Sequence, residues 1–358
     1  MTTLLPSITA VLALAMAVAL LDQWRERRQP FQLVWAIGMA FYGIAAGCEA
    51  IAAAAGWNEI LYRTWYLTGA VLTAGWLGLG TALLLAKTRF GYAVAISIFL
   101  AGLFTLLTYA KYHYEGSGST PILYFIGAGL LALAIGVETY FQNERWPMFM
   151  AIGVVGASLL ALVLTLTTTL AAPFSVDPST GQPSADLFDV TGAVVGTNLP
   201  GSLRLLTPFL NITGGVALAF GALFSAYVFM PKRRVLPYSL DPNQKGDQFL
   251  FNLLISPVAL TVNFFASLPR AIAELIRGRL HSRVPATLLI ALGGFVASAG
   301  DTLNRFGVTG PFAVAKLVAA ILLLAGFLVS IEAFREVRIP FTSIRLGGAR
   351  REVETPAA

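Results

Sequence analysis

Long apolar runs separated by short polar breaks fill most of the chain. Nine of them approach or exceed the length of about 20 mostly apolar residues that a bilayer-crossing helix needs. They cover 4–21, 33–55, 65–86, 92–109, 121–140, 148–171, 207–230, 285–300 and 311–334, the eighth being the shortest. An open backbone cannot satisfy its polar groups in lipid, so each run is expected to be helical. The pattern predicts an all-α polytopic membrane protein in four parts. These are a seven-helix bundle over 1–230, a basic linker with interfacial helices over 231–284, a two-helix hairpin over 285–334 and a basic cytoplasmic tail over 335–358 with a poorly ordered end. No internal repeat is evident.

The first run has no basic residue before it and is followed at once by Asp22-Gln23-Trp24-Arg25-Glu26-Arg27-Arg28. Charge after the run predicts an uncleaved helix whose N-terminus lies outside.

A tenth apolar stretch, 249–268, decides the side of everything after it. If it does not cross, the cytoplasmic segments hold nineteen of the 24 Lys and Arg, and the outer segments hold only Arg63, Lys111, Arg204 and Arg305. Lys316 is inside a helix. If the stretch crosses, the basic residues divide almost evenly, against the positive-inside rule. Its pattern agrees: Asn252, Ser256, Asn263, Ser267, Arg270, Glu274, Arg277 and His281 fall within about 80° of one another on a helix. A polar stripe on an apolar helix suits the membrane interface. Pro257 and Pro269 are expected to break it into pieces.

The 172–206 loop is rich in Pro, Gly, Ser, Thr and Asp; its middle, 187–197, alternates as a short hairpin does, and the loop is placed to cap the bundle.

Composition supports the membrane assignment. The chain is 57% hydrophobic and 12% charged, with mean hydropathy +0.75, against about 25% charged residues in soluble domains. Its net charge of +6 sits between apolar runs, so it reads as orientation and not as nucleic-acid binding. One cysteine, Cys48, excludes an internal disulfide, and only two histidines exist, His113 and His281, both outside the runs.

Ionisable groups inside a membrane are costly and mark candidate sites. Glu49 is the strongest, about 9 Å by helical rise from the outer end of the second run. It is expected to face the bundle interior near a cation, with Arg204 or Arg63 favoured over Lys316, whose long stem can snorkel to the headgroups. The segment around Lys316 is similar to the Schiff-base lysine segment of retinal proteins. The third run has no counter-ion carboxylate and the seventh has no lysine, so no chromophore or other cofactor is implied. Glu49, Arg63, Trp65, Arg204, Asn211 and Lys316 form the candidate ligand-binding set, with no catalytic or metal-binding residues. The aromatics near the outer mouth, among them Trp57, Tyr62, Trp65 and Tyr66, have the composition of a headgroup-level belt.

No Walker loop, HExxH, Gly-x-Ser-x-Gly or Cys-x-x-Cys occurs. The favoured reading is a non-enzymatic protein of a cytoplasmic membrane. It binds a small or lipid-like molecule at its outer mouth, or is a subunit of a membrane assembly, with membrane lipids or other membrane subunits as partners. A transporter with a central path is the alternative, and a lipid-modifying enzyme the third.

Overall fold

The computed structural model describes residues 3–112, 114, 117–170, 186–188, 194–197, 199–241, 247–305, 311–329, 337–338 and 345–346. Among them, ten helical stretches are long and apolar enough to cross a membrane, one more than the nine expected runs. The protein is a polytopic all-α membrane protein.

The first two helices, α1 (Leu4–Arg27) and α2 (Pro30–Ala55), form an antiparallel pair. Arg28 turns the chain in the left-handed region, its N–H donating to the Trp24 carbonyl. Pro30 then opens α2, where its missing N–H costs nothing. The bundle end at which α1 begins is here termed the N-face and the other end the C-face.

The third stretch runs from the N-face as α3 (Glu59–Trp65), a π-helical segment (Tyr66–Leu72) and α4 (Thr73–Leu84). It starts six residues before the expected run because the Asn58 side chain accepts from the Leu61 N–H and caps α3. Next come α5 (Gly91–Tyr112), α6 (Thr120–Tyr140), α7 (Trp146–Thr167) and α8 (Gly201–Phe229). Between α7 and α8, β1 (Asp186–Phe188) pairs antiparallel with β2 (Val194–Thr197), the hairpin expected there. Of the rest of the expected 172–206 loop, 201–206 belong to the start of α8; residues 172–185 and 189–193, and with them the capping role, lie outside the described residues, as does His113. The chain closes with α9 (Asp247–Ile276), α10 (Arg283–Arg305) and α11 (Phe312–Val329). A short antiparallel pair, β3 (Val337–Arg338) with β4 (Arg345–Leu346), follows; the end of the tail lies outside the described residues.

Small residues set the helix spacing. A Cβ on Gly78 would come 2.5 Å from the Gly214 backbone, and one on Gly214 would come 2.1 Å from the Ala74 carbonyl oxygen. The axes of α4 and α8 therefore cross where no side chain fits. One core runs from α3 to α8; a second joins α1, α2, α4, α8 and α11 through Leu20, Met39, Leu77, Leu218 and Leu323.

Helix α9 is continuous, contrary to the expected break at its prolines. Pro257 leaves the Leu253 carbonyl without its backbone donor, and the Ser256 hydroxyl bonds that oxygen at 3.0 Å. The same device recurs in α8, where Thr207 donates to the Arg204 carbonyl freed by Pro208, at 2.8 Å. At these two positions a hydroxyl one residue before the proline takes up the freed carbonyl; α9 also runs on through Pro269, which Leu268 precedes.

Length alone would make α9 a span, yet both of its ends meet the C-face. At its start, Phe249 packs on Tyr92 at the beginning of α5 (6.0 Å) and Tyr140 at the end of α6 (5.6 Å). Towards its end, Ala271 shares a buried cluster with Tyr227 and Met230 at the close of α8 and Val284 at the start of α10. The turn after α9 stays there, with Phe229 against His281 at 5.0 Å. A helix whose two ends touch the same face runs along that face, as the polar stripe predicted.

Candidate functional site

Glu49 is buried inside the bundle near the N-face. The mostly apolar α2 turns it inward, and its side chain is only 2% exposed. Ionising a carboxylate in such a place requires partners. Two are present. The Trp65 indole N–H donates to Oε1 at 2.7 Å, and the Lys316 ammonium pairs with Oε2. Lys316 is 13% exposed, and its Nζ also lies 4.3 Å from the centre of the Phe312 ring.

Placement inside the bundle was expected; the identity of the cation corrects the expectation. Lys316 does not snorkel. Its backbone is fixed by the Tyr42 hydroxyl, which donates to the Lys316 carbonyl at 2.7 Å, and α11 packs on α1 and α10. That packing holds the Lys316 ammonium against Glu49. Arg63 is engaged elsewhere: it pairs with Glu59 one turn earlier at 2.5 Å and donates to the carbonyls of Thr165 and of Thr168 (2.6 Å) at the end of α7. Arg204 sits beside the Tyr66 hydroxyl, with Nη1 at 3.3 Å.

The third stretch builds the wall beside the pair. Trp57, Tyr62, Trp65 and Tyr66 pack against one another edge-on or tilted, with ring centres 5.8 to 6.5 Å apart. Tyr62 and Tyr66 are buried in the core, so this part of the aromatic ring is not a headgroup belt. Side-chain bonds reinforce the π-helical turns that follow, where the Thr73 N–H already donates to the Thr68 carbonyl in the i to i+5 pattern. The Thr73 hydroxyl donates to the Thr68 carbonyl at 2.7 Å, and Asn211 of α8 donates to the Ala70 carbonyl at 2.8 Å. Asn211 thus pins the π segment one layer below the aromatic group.

Four of the six candidate residues therefore fall into two adjoining pieces. Glu49, Lys316 and Trp65 form one unit, and Arg204 touches the next aromatic, Tyr66. Asn211 lies deeper, and Arg63 ties α3 to α7. Sequence reading missed Tyr42 as the backbone anchor of Lys316, for which a single tyrosine in an apolar run gives no signal. The Glu59–Arg63 pair was legible, because residues four apart meet on one helix face.

No family model, curated protein or solved structure matches the chain. The chemistry of the site thus rests on its own residues. Among the described residues, no group of three His, Cys, Asp or Glu comes together to hold a metal ion. What the site offers is a desolvated carboxylate and ammonium next to a cluster of edge-on and tilted aromatic rings.

Proposed function

We propose that this protein is a non-enzymatic binding protein of a cytoplasmic membrane, taking a small amphipathic or lipid-like molecule at its N-face, which is the outer side. The observation that carries the reading is the joint holding of Glu49 by Lys316 and Trp65 beside the Trp57, Tyr62 and Tyr66 rings. A polar handle against aromatic walls is the common form of a small-molecule site. The orientation rests on the nineteen-to-four division of basic residues.

A transport path has less support. Polar side chains buried between the helices bond to backbone carbonyls: Thr81 to Leu77, Ser97 to Val94, Thr105 to Leu205. Membership of a larger membrane assembly has one observation in its favour. Gly127, Gly129 and Gly136 of α6 and Gly156 of α7 have open space where a Cβ would stand, which leaves room for another helix to approach.

The test is to purify the protein from native membranes and identify co-purifying small molecules by native mass spectrometry. Wild type is expected to carry a molecule that Glu49→Gln loses while its helical circular dichroism is kept. Equal recovery from both, or recovery of bulk lipid only, removes the reading.

A further inference from the structure

We infer that the C-face carries a binding site for anionic phospholipid headgroups, formed by α9 and the linker that precedes it. The site is separate from the N-face pair and does not rest on the function proposed for that pair.

The geometry begins with the linker. Residues 231–236 leave α8 and run back along the polar stripe of α9, to which they are bonded. Asn263 is fully buried; its side-chain oxygen accepts from the Val235 and Leu236 N–H groups at 2.7 and 2.9 Å, and its amide donates to the Leu236 carbonyl at 2.8 Å. The Ser267 hydroxyl accepts from the Arg233 N–H at 2.9 Å. Arg270 donates to the Lys232 carbonyl at 3.2 Å. The middle of the polar stripe thus holds the linker, and the linker in turn fixes Lys232, Arg233 and Arg234 near Arg270. All four of these basic residues are exposed.

The other side of α9 is mainly apolar. Phe251, Leu254, Val258, Phe265, Ile272 and Ile276 form one exposed apolar stripe, with Leu254 at 80% and Ile276 at 81%. Because α9 runs along the C-face, this stripe lies at the level where acyl chains meet headgroups. Charge decides which lipids adjoin it. Residues 231–283 carry eight Lys and Arg against Asp241, Asp247 and Glu274. A fixed basic cluster on an interfacial helix, across from its apolar stripe, attracts anionic headgroups over zwitterionic ones.

The experiment uses the full chain in nanodiscs of phosphatidylcholine containing phosphatidylglycerol as the minor lipid. Native mass spectrometry reads which lipids stay bound on release. Wild type is expected to retain phosphatidylglycerol several-fold above its share, and the combined Arg233→Gln, Arg234→Gln and Arg270→Gln variant to lose that enrichment with unchanged circular dichroism. In a Cys48→Ala background, a fluorophore on Phe265→Cys is expected to be quenched by lipids carrying a nitroxide near the headgroup. Three results overturn the inference: no enrichment in wild type, enrichment equal in the variant, or a Phe265→Cys probe shielded from lipid, as it would be beneath a partner protein. Displacement of phosphatidylglycerol by inorganic phosphate would equally overturn it, since a free anion would then be the ligand.

Discussion

Lys316 and Glu49 are 267 positions apart in the chain and form one ion pair within the bundle. The last described long helix is thereby locked to the second at a depth where neither charge is well solvated. Removing one partner of a buried pair leaves the other desolvated and uncompensated, which typically costs about 3–5 kcal/mol. Lys316→Met is therefore expected to lower thermal stability strongly. Glu49→Gln together with Lys316→Met should cost less than the two single losses added. Thermal unfolding of all four proteins in one detergent gives the coupling; strict additivity would show that the pair does not hold the helices.

The crossing of α4 and α8 predicts a steep steric penalty. In Gly214→Ala, the new methyl meets the Ala74 carbonyl at 2.1 Å, and overpacking of this kind typically costs about 1–3 kcal/mol. Gly47→Ala, where a Cβ has open space, is the control and should leave the midpoint unchanged or slightly raised. Equal midpoints for both variants would rule out the close crossing.

Thr207→Val keeps shape and removes the hydroxyl that bonds the Arg204 carbonyl. The expected loss is about 1 kcal/mol, the net worth of one hydrogen bond. Ser256→Ala should behave alike in α9. Substituting the preceding hydroxyl together with its proline, as in Thr207→Val with Pro208→Ala, should recover stability, because the backbone N–H returns. Failure of that rescue in an unfolding assay would assign the hydroxyl another role.

Topology is open to cysteine labelling in a Cys48→Ala background. Lys232→Cys before α9 and Arg279→Cys after it should react with an impermeant maleimide from the same side of the membrane. Asn143→Cys should join them, and Ser119→Cys should react from the opposite side, which we expect to be the outside. If Lys232→Cys and Arg279→Cys reacted from opposite sides, α9 would have to cross.

The helices were readable from apolar run length, and the course of α9 from the phase of its polar residues. Glu49 was readable as an inward-facing group because burial of a charge is costly whatever surrounds it. Its partner was not readable. The snorkelling argument for Lys316 treats a helix as if it stood alone in lipid, whereas α11 shares a core with α1 and α2 through Leu323 and Phe327. Which helices adjoin is set by contacts between distant segments, and no local pattern encodes them. The continuity of α9 is a different case. Ser256-Pro257 and Thr207-Pro208 stand in plain view, and the hydroxyl before each proline was the overlooked signal.

The π-helical segment fixes a phase relation along the third stretch. An α-helix turns about 100° per residue, so the looser winding between Tyr66 and Leu72 offsets the faces before and after it. Trp65 can then point to Glu49 while Gly78, thirteen positions on, still meets Gly214. Chain length between these two positions is therefore under geometric constraint. A one-residue deletion there could restore a regular helix, yet it would turn either the indole or the glycine out of alignment. Point substitutions in this stretch should be borne more readily than any insertion or deletion.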